Sequence, residues 1–203
     1  MSSAADAISP APSQGAPSGR DDVRVISVIG CAHFTSHFFQ MSVPALFYVL
    51  KDAFAVGYTE LGLLMTVFYA VSGVGQPIAG FVVDRLGART VLTAGMATLS
   101  AAMASIALAP SYWLVLALMP LAGIGNCVFH PSDYSILSSS VSQPRMGRAF
   151  SVHALGGTMG YVTAPLTMVG LATALGWRMA LGVIACFGLA AAAAVHAQRS
   201  ALR

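Results

Sequence analysis

The amino-acid sequence predicts an all-α membrane protein with six transmembrane helices. Of its 203 residues, 57 % are hydrophobic and only 8 % are charged, and the mean hydropathy is +0.76. Soluble domains carry about 25 % charged residues, so this chain is too apolar to build a water-exposed surface. The apolar residues also form runs of about 20, the length that a helix needs to cross the core of a lipid bilayer.

Composition also excludes several functions. The net charge of +3 comes from basic residues that are scattered singly, which excludes nucleic-acid binding. No nucleophile set, phosphate-binding loop or metalloprotease motif is present, so we expect neither an enzyme nor a cofactor. Cys31, Cys127 and Cys186 lie far apart in apolar runs and are predicted to be small hydrophobic core residues.

Six segments qualify as membrane spans. They cover residues 23–50, 60–83, 90–109, 112–137, 149–175 and 178–196. Residues 1–22, which are rich in Ser, Ala, Pro and Gly, are predicted to form a disordered cytoplasmic tail, and residues 199–203 a cytoplasmic end. Four spans contain a proline, which membrane helices tolerate when neighbouring groups satisfy the freed carbonyl.

The arginines predict the orientation. If the amino terminus is cytoplasmic, only Lys51 and Arg178 lie outside. The inside segments then hold eight arginines, namely Arg20, Arg24, Arg85, Arg89, Arg145, Arg148, Arg199 and Arg203. Positive residues concentrate on the cytoplasmic side, so both ends are predicted to be cytoplasmic. We expect a multi-pass protein of a cell membrane, in particular a bacterial inner membrane.

A charged turn joins the second and third spans. It reads Gly80-x-x-x-Asp84-Arg85-x-Gly87-x-Arg89. Arg85 suits the negative end of the second helix dipole, and Asp84 can cap the start of the third helix or accept from nearby N–H groups. Gly87 permits a positive φ in a tight turn, and Arg89 is expected to anchor the third helix in the lipid headgroups.

Polar side chains recur at helical spacing inside four spans. They are His33, His37 and Gln40 in the first, Gln76 in the second, Asn126, His130 and Asp133 in the fourth, and His153 at the start of the fifth. Residues three or four apart share one helix face, so the sets in the first and fourth spans each form a stripe. Ionisable groups are costly within a membrane, and we expect these stripes to line a pathway for substrate or protons.

Three interpretations of the histidines remain open. Proton coupling is one, because histidine titrates near neutral pH. A structural role is another, in which histidines bond the carbonyls freed at Pro44 or Pro131. A metal site is the third, with His33 and His37 binding one ion and His130 and Asp133 completing the set. The absence of a thiolate or carboxylate cluster disfavours this last interpretation, and no metal is predicted.

Small residues are expected to mediate helix packing in the fifth span. Gly156, Gly157 and Gly160 recur at helical spacing, and Pro165 follows them. Glycines in membrane helices let neighbouring backbones approach closely.

The turn from Gly80 to Arg89 resembles the loop between helices two and three of the major facilitator superfamily of secondary transporters. The stretches Ala32-His33-Phe34, Phe129-His130-Pro131 and Gly156–Gly160 are similar to the fosmidomycin-resistance-like branch of drug exporters. The resemblance covers about residues 25–199 and only the amino-terminal half of a fold of about twelve helices. It therefore implies half of that fold.

The resemblance also implies a function. We expect secondary active transport of a small solute by alternating access, coupled to protons. Because lipid cannot satisfy the polar stripes, the chain should need a second six-helix half. That half could be the C-terminal part of a longer protein, a separate chain or an identical copy. The alternative is a non-transporting interaction or regulatory module with a truncated transporter fold.

Overall fold

The computed structural model describes residues 19–198 and Leu202, and its regular structure is helical throughout. The predicted all-α class is confirmed. The helices are α1 (Gly19–Ser42), α2 (Phe47–Phe54), α3 (Tyr58–Leu86), α4 (Ala88–Leu108), α5 (Tyr112–Cys127), α6 (Phe129–Ser140), α7 (Met146–Leu175) and α8 (Trp177–Ala197). Short 3-10 turns, Pro44–Leu46 and Gln143–Arg145, precede α2 and α7.

Five helical stretches in the described residues are long and apolar enough to cross a membrane. They are Tyr58–Leu86, Ala88–Leu108, Tyr112–Ser140, Gln143–Leu175 and Trp177–Ala197. They correspond to the second through sixth predicted spans. Helix α1 is not among them, because its charged first turn and its polar face lower its hydropathy. The crossing by α1, the first predicted span, therefore stays a prediction.

Prolines divide two of the predicted spans. The span 23–50 ends as a helix at Ser42 and resumes after a 3-10 turn that Pro44 opens. The span 112–137 is interrupted at Val128, and Pro131 is the third residue of α6. Both prolines thus lie in the first turn of a new segment, where backbone N–H groups have no partner within the helix. Pro77 and Pro165, in contrast, lie inside continuous helices.

The tail prediction extends too far. Residues 1–18 lie outside the described part of the chain, but residues 19–22 form the first turn of α1. Asp22 explains this difference. Its buried carboxylate accepts bonds from the Ser142 backbone N (3.2 Å), Ser142 Oγ (2.5 Å) and Arg145 Nη1 (3.1 Å). An acidic residue also suits the positive end of the helix dipole.

The same contacts set the ionisation of Asp22. Burial acts to raise the pKa of this carboxyl, but the hydrogen bonds from Ser142 and the bond and charge of Arg145 outweigh it. The pKa of Asp22 therefore lies below its ordinary value of 3.8. Asp22 links the start of α1 to the loop between α6 and α7, and it does so best as a carboxylate.

Helix α4 lies at the centre of the packing. It contacts α5 and α8, while α1 packs on α7 and α3 on α5. The α4 side chains Leu92, Met96 and Leu99 are fully buried. Helices α3 and α7 instead present wide apolar faces, with Val74 73 % and Leu166 77 % exposed. Among the described residues, the most exposed positions of these two faces pack against no other helix.

The charged turn lies between α3 and α4. Gly87 has a φ of +84°, as predicted for this tight connection. The prediction that Asp84 caps α4 is wrong, because Gly87 occupies the N-cap position and no side chain bonds there. Asp84 and Arg85 are exposed. Arg89 donates through Nη1 to the carbonyl of His196 at 3.4 Å, which ties α4 to the last turn of α8.

Candidate functional site

A buried carboxylate joins three helices. Asp133 of α6 is fully buried, and one of its oxygens, Oδ2, contacts two histidines. His33 Nδ1 of α1 lies 3.2 Å away, and His153 Nε2 of α7 lies 3.1 Å away. The two imidazole rings stack with centroids 3.6 Å apart. The arrangement places two titratable rings on one acid.

Two further histidines complete this group, which we call the histidine cluster: His33, His37, His130, Asp133 and His153. His37 Nε2 lies 3.0 Å from His33 Nε2, so one of these nitrogens must donate to the other. The ring centroid of His130 lies 5.1 Å from that of His33. His130 Nδ1 and Asp133 Oδ1 are buried without a hydrogen-bond partner.

Glycines of α7 make room for this cluster. A Cβ atom at Gly157 would lie 2.8 Å from His33 Cδ2 and 2.9 Å from His37 Cδ2. One at Gly156 would lie 2.5 Å from the Gly30 carbonyl oxygen, and one at Gly160 would lie 2.5 Å from that of Phe34. The three glycines therefore lie against α1. Pro165 is farther along α7 and half-buried.

A second polar group lies beside the cluster and centres on Asn126 of α5. Its Oδ1 accepts from Ser36 Oγ at 2.9 Å and from Gln40 Nε2 at 3.3 Å. Its Nδ2 donates to Ser72 Oγ of α3 at 2.9 Å. We call these four residues and Tyr161 the amide network, because Tyr161 Oη donates to Gln40 Oε1 at 2.7 Å. The network joins α1, α3, α5 and α7.

Tyr161 connects the two groups. Its ring meets that of His37 edge-on, with centroids 4.3 Å apart. The sequence prediction did not include Tyr161, Ser36 or Ser72. Ser36 could have been found, because it lies three residues after His33 and four before Gln40 on the same helical face. Tyr161 could not have been found in the same way. It lies one turn after Gly157 in α7, and the other polar residues of that helix do not form a stripe.

Most of the predicted pathway residues come together. The histidine cluster contains five of them, and the amide network contains Gln40 and Asn126. Gln76 is half-buried on α3 and joins neither group. The Gly80–Arg89 turn lies outside both groups, at the junction of α3 and α4.

Comparison with known proteins places the chain in a family. Residues 29–199 match the family model described as Major Facilitator Superfamily. The chain belongs to the major facilitator superfamily. The motif from Gly80 to Arg89 thus led to the correct superfamily.

Two relatives illustrate the match. This superfamily chain is 28 % identical over 190 residues to the fosmidomycin resistance protein of Escherichia coli, covering 92 % of this chain and 46 % of the relative. It is also 28 % identical over 142 residues to an uncharacterized MFS-type transporter, YfnC, of Bacillus subtilis. This match covers 70 % of this chain and 34 % of that relative. The chain spans about a third to a half of the length of these relatives.

Solved structures show the same fold. A bacterial homolog of the human lysosomal transporter Spinster, in an inward-facing and unoccupied conformation, aligns with a TM-score of 0.80 at 18 % identity. The alignment covers 92 % of this chain and 44 % of that one. The superfamily chain therefore has the architecture of about half of that transporter.

The site can support two kinds of chemistry. A buried carboxylate bridged by two imidazoles can exchange a proton between acid and ring at short distance. The ligand nitrogens of His33, His130 and His153 also lie within 4.8 Å of one another, close enough for one metal ion. The three interpretations made from the sequence stay hypotheses. Within the described residues, the rings of His33, His37 and His153 bond to one another and to Asp133.

Proposed function

We propose that this chain forms one half of a secondary transporter that moves a small solute across the bacterial inner membrane, coupled to protons. The observation that carries the proposal is the position of Asp133. It is fully buried on α6 and shared by histidines of α1 and α7. A buried acid at the meeting point of three helices is typical of proton pathways in membrane proteins.

The proposed mechanism uses these contacts as a switch. With Asp133 ionised, a proton on His33 or His153 creates an attractive charged pair that holds α1, α6 and α7 together. Transfer of a proton to Asp133 removes that charge and weakens the hold. Alternating access then follows as these helices change their packing. The glycines of α7 support this motion, because they leave a smooth surface against α1.

The proposed orientation has six crossings with both ends in the cytoplasm. Contacts at the helix ends support the placement of the predicted inside segments on one common side of the membrane, and the arginines support that side as the cytoplasmic one. Asp22 bonds to Arg145, and Arg89 bonds to the carbonyl of His196, so four predicted cytoplasmic segments meet in pairs. Arg178, predicted to lie outside, donates to the carbonyls of Ala107 and Ala109 at 2.8 Å each. We propose that the Gly80–Arg89 turn latches the cytoplasmic side.

A second six-helix half completes the proposed transporter. The wide exposed faces of α3 and α7 support this requirement, because these two helices also carry members of the polar groups, Ser72 and His153. Light scattering of the detergent-purified chain distinguishes a homodimer from a monomer that awaits another chain. The relatives, which include named transporters, do not favour the alternative of a non-transporting module.

Inverted membrane vesicles from cells that produce the chain provide the test. The probes are fosmidomycin and L-galactonate, the compounds for which two relatives are named. A pH-sensitive dye reports proton movement when a probe is added, with a metal chelator present throughout. We expect a response to at least one probe, and its loss in Asp133→Asn and His37→Ala.

His196→Ala is the matched control, because this histidine lies at the end of α8 and outside both polar groups. It should keep the response of the parent chain. A response that Asp133→Asn and His37→Ala leave intact would contradict the proton pathway. No response to either probe, with correct membrane insertion, would contradict coupled transport of these two compounds by this chain alone.

A further inference from the structure

We propose that His33, His130 and His153 form a binding site for a divalent transition-metal ion of the zinc type. The inference goes beyond the proposed function and does not require it, because binding of an ion needs only the side chains. The three histidines come from α1, α6 and α7, so the site assembles only in the folded chain.

The distances permit a single ion. The three ligand nitrogens lie within 4.8 Å of one another. In a tetrahedral zinc site with bonds of about 2.0–2.1 Å, the ligand nitrogens lie about 3.4 Å apart. Side-chain rotations that move each nitrogen by roughly 1 Å are enough to bring the largest separation, 4.8 Å, to this value.

Asp133 lies where it can orient two of the proposed metal ligands, because it contacts the rings of His33 and His153. Metal-binding histidines generally donate their second ring nitrogen to a carboxylate or carbonyl, which fixes the tautomer and the ring orientation. Asp133 Oδ2 binds the Nδ1 of His33 and the Nε2 of His153, and so directs the opposite nitrogen of each ring away from itself. The opposite nitrogens are His153 Nδ1 and His33 Nε2, and His33 Nε2 shares a proton with His37 Nε2 at 3.0 Å. An ion at this site takes the place of that proton.

Two buried polar atoms point to a missing ligand. His130 Nδ1 and Asp133 Oδ1 have no hydrogen-bond partner in the described structure. Buried polar atoms are almost always satisfied, and each one that is not needs an explanation. A cation held by the three rings binds a nitrogen of His130 and attracts the free oxygen of Asp133.

The donor set selects the class of ion. Imidazole nitrogens suit Zn²⁺, Ni²⁺, Co²⁺ and Cu²⁺, whereas Mg²⁺ and Ca²⁺ prefer oxygen ligands. Three protein ligands leave a fourth position open, as in zinc sites that exchange their ligand. His37 Nε2, 3.0 Å from His33 Nε2, lies where it can occupy that position. The structure therefore adds His153 to the ligand set considered from sequence.

The test is Zn²⁺ titration of the detergent-purified full chain after removal of any histidine tag. Calorimetry measures the affinity, and Co²⁺ replaces Zn²⁺ as a spectroscopic probe, because tetrahedral Co²⁺ has strong visible absorption. We expect one ion per chain. His33→Ala, His130→Ala and His153→Ala should each weaken binding by more than about 100-fold, and Asp133→Asn by about 10–100-fold.

Two further variants keep the test decisive. His130→Gln is the safest substitution for folding, since His130 Nδ1 has no hydrogen-bond partner in the described part of the chain, and it should abolish binding while circular dichroism stays unchanged. His196→Ala should bind as the parent does. Absence of saturable binding, or equal binding by the parent and His130→Gln, would overturn the site. Because the vesicle assay contains chelator, its failure would refute transport of the two probes by this chain without bearing on the metal site, and the reverse also holds.

Discussion

Gly160→Ala should destabilise the fold, because this glycine lies where α1 and α7 approach closely. A Cβ atom added there would lie 2.5 Å from the Phe34 carbonyl oxygen, 2.9 Å from the Phe38 nitrogen and 3.0 Å from His37 Cβ. Two of these three atoms are backbone, so the rotation of one side chain cannot relieve the overlap. The helices must instead separate by roughly 1 Å to restore ordinary contact distances.

The expected cost follows from this overlap. Overpacking of a well-packed interface costs about 1–3 kcal/mol. Gly170→Ala on the same helix is the matched control, since an added Cβ atom there meets nothing within 4 Å. It should instead stabilise the helix by about 0.5–1 kcal/mol, because alanine restricts the unfolded chain. The two substitutions are chemically identical and should have opposite signs.

Denaturant unfolding of the purified chain in detergent, followed by circular dichroism, measures both free energies of unfolding. The reasoning predicts that Gly160→Ala unfolds at a lower denaturant concentration than the parent and Gly170→Ala at a higher one. Equal shifts for the two variants, or a stabilised Gly160→Ala, would refute the close approach of α1 and α7. That result would also undermine the contacts of His33 and His37 with α7.

Two further predictions concern polar contacts. Asp22→Ala should lower the free energy of unfolding by about 1–3 kcal/mol at neutral pH, toward the low end because Arg145 is partly exposed. Folding lowers the pKa of Asp22, so the contribution of this carboxylate to the free energy of unfolding is full above about pH 4 and is lost as the pH falls further. Melting temperatures measured from about pH 3 to 7 should therefore fall less with acid in the variant than in the parent. An equal fall in both proteins would contradict this. Asn126→Ala should cost about 2–4 kcal/mol, because it leaves buried groups of Ser36 and Ser72 without partners. Thermal unfolding checks this, with the exposed Thr66→Ala as the control, and similar melting temperatures for the two would refute it.

The helical class and the polar stripes could be predicted because both depend on local patterns. Spacings of three and four residues placed His33 and His37 on one face, and Asn126, His130 and Asp133 on another. The family was predictable for a similar reason, since the Gly80–Arg89 turn is contiguous in sequence. The structure then shows these faces directed toward each other across α1, α5 and α6.

Long-range pairing could not be predicted. Asp22 and Ser142 are 120 residues apart, and nothing in the sequence near either residue indicates their contact. The same holds for Tyr161 and Gln40. The prolines present a different problem, because Pro44 and Pro131 open new segments whereas Pro77 and Pro165 do not. Tertiary packing decides these outcomes, and a local pattern does not encode it.

The account rests above all on Asp133 as the proton-carrying group of a transporter half. The most direct measurement is the dye signal in inverted vesicles on addition of a probe solute, compared between the parent chain and Asp133→Asn at equal membrane content. The account predicts a proton response in the parent and none in the variant. An equal response in both would contradict it.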